Sequence, residues 1–287
     1  VTFLDTHVHV WDPARFEYPW LAEAPTLNQS FLPHDIDRDG GRVDRMVFVQ
    51  ADCRNEQALE EARWVASSKW PELVGIVAGA DLRSGDALGF HLDALDEVGR
   101  VVGIRHVLQG EPVEGFADAR LRAGLCELAA RGLTFDACVR HAQLPALRGL
   151  LASVPPTLSV VIDHLGNPPL AAGIDSSAGR AWAEELRAIA ELPNACVKLS
   201  GLAPEVCETR TYDQNADAFL EHALQVFGAE RAMLGSDWPV SSGRAGSRGF
   251  SDWAMRVLRI VGDDADSRAA VKARTGERFY ELSVASQ

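Results

Sequence analysis

The chain has 287 residues, with 28 Lys and Arg against 41 Asp and Glu, for a formal net charge of −13. So acidic a protein repels a phosphate backbone, which excludes nucleic acid as an expected partner; a small anionic ligand is not excluded, because a local Arg or His overrides the global field. Hydrophobic residues make up 47% and charged residues 24%, which fits one globular domain over 1–287 with a large buried core, and no apolar run is long enough to span a membrane.

The first ten residues read as a strand, not as a basic and apolar leader, so no signal peptide is expected. Eight short apolar runs recur along the chain, at 2–9, 45–51, 73–80, 101–107, 133–139, 158–164, 195–200 and 231–237. Between them, 56–69 carries Ala58, Leu59, Ala62 and Val65 at helical spacing, and 121–131 carries Leu121, Leu125 and Leu128. The stretches 180–190 and 216–227 behave alike, and 267–282 reads as a closing helix. Strands alternating with helices predict parallel strands joined by right-handed crossovers. Eight such units favour a closed (β/α)8 TIM barrel. The alternative is an open doubly wound sheet with a nucleotide site, and no Gly-x-Gly-x-x-Gly follows the first strand to support it.

Two segments break the repeat. Residues 11–33 form a long loop rich in Trp, Pro and Tyr, and 241–249 is a Ser, Gly and Arg stretch. Both follow strand C-termini, where barrels place substrate contacts. The five cysteines, Cys53, Cys126, Cys138, Cys196 and Cys207, are scattered and form no C-x-x-C pair. They are expected to be reduced thiols of a cytoplasmic protein.

The first strand carries His7 and His9. Side chains alternate along a strand, so both project to one face, at the barrel mouth. Two imidazoles there either hold a divalent metal or polarise a carbonyl directly. The sixth strand ends in Asp163 and His164, the eighth in Asp237. Taken singly, a strand-end His caps a backbone group, and an Asp two residues before Pro239 starts a turn. Together with His7 and His9 they make a constellation that capping does not require.

Asp5-Thr6-His7-Val8-His9 with Trp11-Asp12-Pro13 resembles the amidohydrolase superfamily. So do Val161-Ile162-Asp163-His164-Leu165-Gly166 and Leu234-Gly235-Ser236-Asp237-Trp238-Pro239. The segments 103–109, 135–140 with 143–145, and 197–202 are similar to its sugar-lactonase branch, which includes L-fuconolactonases and L-rhamnonolactonases. The resemblance runs from about residue 3 to about Tyr280. It implies a distorted (β/α)8 barrel that hydrolyses a cyclic ester, with His7, His9, His164 and Asp237 as the catalytic set. Superfamily members with two metals carry a bridging Lys or Glu on strand four and a further His on strand five. Here strand four ends in Arg105 and His106, and strand five reads Phe135-Asp136-Ala137-Cys138-Val139. The expectation is one Zn2+ at most, held by His7, His9 and Asp237, with or without His164; the branch also resembles enzymes that need no metal.

The expected substrate is a small-molecule lactone. Gln50, Arg105, His106 and His141 are candidates for hydrogen bonds to it, and Trp11, Trp20 and Trp238 for stacking on a sugar ring. Arg105 and His106 point to opposite strand faces, and Arg105 is favoured as the inward one. Arg140 follows strand five. Lys198 in strand seven either faces the pocket or snorkels outward. Asp5 and Asp163 are read as supports for strand ends, and His34, His91 and His222 as structural or exposed. Lactone isomerisation, decarboxylation or non-catalytic binding of a sugar acid are the alternatives on this barrel.

Overall fold

Eight parallel strands in consecutive order build the protein: β1 (Phe3–Val8), β2 (Val43–Val49), β3 (Leu73–Gly79), β4 (Val101–Val107), β5 (Thr134–Cys138), β6 (Val160–Ile162), β7 (Ala195–Leu199) and β8 (Ala232–Leu234). The computed structural model describes residues 2–206, 208–242 and 249–282. Cys207 and most of the 241–249 stretch lie outside the described residues. The sheet closes on itself just past the ends of β1 and β8, through a bridge between Val8 and Trp238. There the Asp237 N–H donates to the His7 carbonyl (2.9 Å) and the His9 N–H to the Trp238 carbonyl (2.8 Å). Asp5 ties the same seam from below, accepting from the His7 N–H (3.1 Å) and the Ser236 N–H (2.9 Å). This is the (β/α)8 barrel expected from the strand and helix alternation.

Helices α1 (Ala58–Ser67), α2 (Asp86–Asp96), α3 (Ala119–Arg131), α4 (Leu144–Leu151), α5 (Ser177–Ala190), α6 (Thr209–Phe227) and α7 (Phe250–Val261) follow the strands in turn. Their apolar stripes pack on the outside of the barrel in one cluster with the outward strand residues. Asp118 caps α3 by accepting from the Arg120 N–H, and Gly132 ends it in the left-handed region; Ser176 caps α5 in the same way as Asp118 caps α3. The sequence pattern marked α2 only through the helical stretch around His91 and did not single out α4 or α7. The closing helix is α8 (Ala265–Ala269) and α9 (Thr275–Phe279), joined by one wide turn over Ala270–Arg274.

β6 and β8 are shorter than their apolar runs. After Ile162 the chain turns through His164 (φ 53°) and Leu165 (φ 55°), and after β8 through Asp237 (φ 56°). Left-handed residues cannot continue a ladder, so the strand-end chemistry sits on turns above the barrel. Inside, Leu4, Val47, Val49, Val77, Val161, Cys196 and Met233 form an apolar floor with Phe279, Tyr280 and Leu282. Cys53, Cys126, Cys138 and Cys196 are free thiols. Among the described residues no helix is long and apolar enough to cross a membrane.

The loop after β1 folds back over the mouth. Trp11 is fully buried, edge-on to Trp20 (5.3 Å) and Phe31 (5.0 Å). The Trp20 indole N–H donates to the Ala51 carbonyl at 2.8 Å, which fixes this wall to the end of β2. Beneath it, Glu61 of α1 is only 1% exposed, and burial pushes its carboxyl up to about 7. A value raised above the ordinary 4.5 means that the folded state holds the proton more tightly. The stability from this group is therefore complete below about pH 4.5 and is lost as pH rises through about 7. Glu61→Gln should be more stable than the parent above that window and gain no such advantage below it, as read from urea midpoints at a series of pH values.

Candidate active site

Strand alternation brings His7 and His9 to the inner face, and the β1–β8 seam sets Asp237 beside them. His7 Nε2 and His9 Nε2 are 3.1 Å apart. Asp237 Oδ1 lies 3.9 Å from His7 Nε2, 3.5 Å from His9 Nε2 and 3.8 Å from His164 Nε2. Three imidazole nitrogens and one carboxylate oxygen thus converge at the base of the mouth. Two glycines make room for them. A Cβ on Gly201, itself at φ 65°, would lie 2.2 Å from His164 Nδ1, and one on Gly235 would lie 2.7 Å from the His7 Cβ.

The three histidines are held differently. His9 Nδ1 faces the Val49 carbonyl at 2.7 Å. A carbonyl only accepts, so the proton of neutral His9 sits on Nδ1 and Nε2 presents a lone pair to the cluster. His164 Nδ1 is 2.9 Å from the Ser200 hydroxyl, which either donates or accepts. His7 Nδ1 has a donor, Lys198 Nζ, at 3.1 Å and an acceptor, Asp163 Oδ1, at 3.4 Å. His7 and His164 can therefore each carry the proton on either nitrogen.

Lys198 is fully buried below this cluster. Its Nζ is 2.5 Å from Asp136 Oδ2 and 3.1 Å from Asp163 Oδ1, and the Tyr280 hydroxyl donates to Asp136 Oδ2 at 2.8 Å. Lys198 therefore faces inward and does not snorkel. Burial opposes ionisation of Asp163, but the Lys198 ammonium and His7 outweigh it and hold its carboxyl well below the usual range. Burial likewise works against Asp237; His164, His9 and the Ser241 hydroxyl, 2.7 Å from Oδ2, together keep its carboxyl below the ordinary value. Burial and the nearby ammonium of Lys198 push the His7 imidazole well down, and burial lowers that of His164. The cluster at neutral pH thus combines neutral His7 and His164 imidazoles with an ionised Asp237.

Two groups among the described residues have metal-ligand spacing: His7, His9 and Asp237, and His7, Asp163 and His164. The first fits a metal. Its donors, with His164 Nε2 close by, give the nitrogen-rich tetrahedral set that zinc takes, and the His9–Val49 hydrogen bond is the outer support such ligands have. The second does not, because the Lys198 ammonium lies 3.1 Å from both His7 Nδ1 and Asp163 Oδ1 and would repel a cation there.

A cavity of about 530 Å3 opens above the cluster, lined by His9, Trp11, Trp20, Arg105, His164 and Asp237 among the residues expected from the sequence, and by Arg140. Four other candidates are placed elsewhere. The Gln50 side chain turns back to accept from the Asp52 N–H and lines a neighbouring cavity of about 370 Å3. His106, on the outward face of β4, is clamped by Arg83 (2.8 Å) and Glu111 (3.1 Å) in that same neighbouring space. The His141 ring meets the Asn167 carbonyl at 3.2 Å and does not line the main cavity. Trp238 packs edge-on against Phe31 on the far side of the seam. Sequence reasoning missed Asp52 and Glu205, which also face the main cavity. Asp52 follows the end of β2 by three residues, so the strand-end logic that found Gln50 pointed near it; Glu205, in the turn after β7, carries no local signal.

The family model described as amidohydrolase matches residues 4–282. The chain belongs to the amidohydrolase family. Two L-fucono-1,5-lactonases, from Burkholderia ambifaria and Burkholderia multivorans, are each 31% identical over 97% of this chain and over 95% and 96% of their own lengths. The crystal structure of an amidohydrolase from Burkholderia multivorans with bound zinc matches with a TM-score of 0.84 at 27% identity, covering 99% of this chain and 100% of the other. The superfamily and sugar-lactonase resemblance carried by the His7–His9, His164 and Asp237 segments therefore holds over the full length. In this amidohydrolase the closeness of Gly201 to His164 makes a direct test of the geometry. Gly201→Ala should displace the ring and lower turnover by about 10²-fold, the scale expected for a misplaced catalytic group. A circular-dichroism spectrum like the parent's would separate this from unfolding.

Proposed function

We propose that this amidohydrolase opens a sugar lactone to the open-chain sugar acid by attack of an activated water. The preferred substrate is an aldonolactone of a deoxy-hexose, L-fucono-lactone first and L-rhamnono-lactone next. The observation that carries the reading is an ionised carboxylate, Asp237, set among three imidazoles at the base of a polar and aromatic cavity. The 31% identity to two L-fucono-1,5-lactonases supports the substrate class.

Opening a lactone requires a polarised carbonyl, a deprotonated water and a proton for the leaving ring oxygen. Asp237 takes the proton from water and returns it to the ring oxygen as the C–O bond breaks. The Ser241 hydroxyl holds Oδ2, so Oδ1 faces the histidines and the substrate. With Ser200 donating to its Nδ1, His164 carries a proton on Nε2 and donates it as a hydrogen bond to the developing oxyanion. A single zinc ion held by His7, His9 and Asp237, with His164 at hand, would supply Lewis-acid polarisation of the same carbonyl. Trp11 and Trp20 give the sugar ring an apolar wall, and Arg105 reaches in from β4.

Asp237→Asn should lose about 10²-fold or more in turnover while the fold persists. Acid release from a panel of aldonolactones, followed with a pH indicator, measures it, and near-normal turnover would remove Asp237 from the proton-transfer role. Elemental analysis of active protein is expected to give no more than one metal equivalent per chain. Two equivalents would contradict the exclusion of a second cation by Lys198.

A further inference from the structure

Each guanidinium on the cavity wall faces a carboxylate that the chemistry above does not use. Asp52 follows β2 in the left-handed region (φ 60°), its N–H held by the Gln50 side chain. Its carboxyl opens into the cavity, where Arg105 and His9 also stand, and it has no hydrogen-bond partner among the described residues. Glu205, in the turn after β7, stands in the same relation to Arg140 and is likewise without a hydrogen-bond partner among the described residues. Arg105 is 6% exposed, and its Nε–H is buried with no partner. The cavity therefore sets two carboxylates that no protein group satisfies, with two guanidiniums, around one 530 Å3 space. A ligand that displaces water from these groups must pair with them.

We propose that Asp52 and Glu205 are the specificity-determining residues of this cavity, accepting hydrogen bonds from the hydroxyls of a neutral sugar lactone and denying entry to a lactone that bears a carboxylate. The inference rests on the lactonase reading and adds the residues that select the substrate. A sugar hydroxyl both donates and accepts, so it bridges a carboxylate and a guanidinium that stand apart. A substrate carboxylate only accepts. It would need a free guanidinium, and here Arg105 already stands 3.8 Å from Asp163 and shares the cavity with Asp52, while Arg140 shares it with Glu205. The strained backbone at Asp52 agrees with this, since non-glycine residues in that region cluster at ligand-binding positions. A site built to pair hydroxyls also rejects analogues lacking them far more strongly than an apolar wall rejects a missing methyl.

The test is kcat/KM of the parent, Asp52→Asn and Glu205→Gln on L-fucono-1,5-lactone, on its analogue lacking one ring hydroxyl, and on a six-carbon aldarolactone. Each variant should lose about 10- to 100-fold on the fucono-lactone, the scale of a hydrogen bond to a charged group. At least one variant should lose much less on the deoxy analogue, since the missing hydroxyl and the missing charge report the same bond. The ratio of aldarolactone to fucono-lactone activity should rise at least tenfold in Glu205→Gln. A parent that opens the fucono-lactone alongside variants that match it within twofold would overturn this inference and leave the proposed function standing. An equal loss on all three lactones, the mark of a structural role, would overturn it too. A parent that opens none of them would overturn the proposed function, and this inference with it.

Discussion

The buried ammonium of Lys198 is the constraint around which the active site is arranged. It sits between Asp136 and Asp163 at the centre of the barrel, with no access to water. Such a cluster is a poor source of net stability, because desolvating the charges offsets most of their attraction. Its effect is positional. It keeps Asp163 ionised, sets a donor and an acceptor on one nitrogen of His7, and occupies the place where a second cation would sit. Through Asp136 it also reaches the Tyr280 hydroxyl, so the C-terminal segment that plugs the barrel floor is tied to the residues beneath the chemistry. Removing one member of a buried ion cluster typically costs about 3–5 kcal/mol, so the arrangement resists drift.

Several left-handed residues stand around the central cavity. His164, Asp237 and Asp52 all take left-handed φ just beyond the ends of their strands. Each such residue costs on the order of 1–3 kcal/mol and persists only when its surroundings over-determine it. Those surroundings are visible: Ser200 on His164, Ser241 on Asp237 and the Gln50 side chain on the Asp52 N–H. Gly201 and Gly235 complete the arrangement by leaving out the Cβ atoms that would strike His164 and His7. Turning sharply at these points lifts the functional side chains off the strand axis and into a shared space.

What the sequence made legible follows from the range of the interactions involved. Alternation along β1 is a two-residue pattern, and it put His7 and His9 on one face without any knowledge of the fold. The apolar runs located all eight strands, and they overran most at β6 and β8, because a left-handed turn has no composition signature at His164 or Asp237. The same alternation put Arg105 and His106 on opposite faces without saying which was inward, and Arg83 and Glu111 hold His106 on the outer side. Gln50, His141 and Trp238 depend instead on which way a chain turns after leaving its strand, and partners far away in sequence decide that. Lys198 was ambiguous for the same reason. Nothing near it in the chain says that Asp136, 62 residues away, and Asp163 wait for it inside the barrel.

The three histidines differ in a way that bears on how such a barrel divides its chemistry between metal and protein. His9 is committed by the Val49 carbonyl: as a neutral ring it always turns a lone pair to the cluster, so it serves as a ligand or an acceptor and never as a donor. His7 and His164 are uncommitted. If Lys198 donates to His7 Nδ1, the His7 proton moves to Nε2 and reaches His9 Nε2 at 3.1 Å, giving a chain of hydrogen bonds from Lys198 to Val49 with every donor matched. If Asp163 accepts instead, His7 Nε2 becomes a second lone pair beside that of His9, and the pair with Asp237 Oδ1 becomes a metal site. Ser200 allows the same choice at His164. The protonation pattern beneath the cluster, and not the identity of the cluster residues, therefore decides whether His7 and His164 turn a proton or a lone pair into it. That choice is made by Lys198, Asp163 and Ser200, none of which needs to touch the substrate.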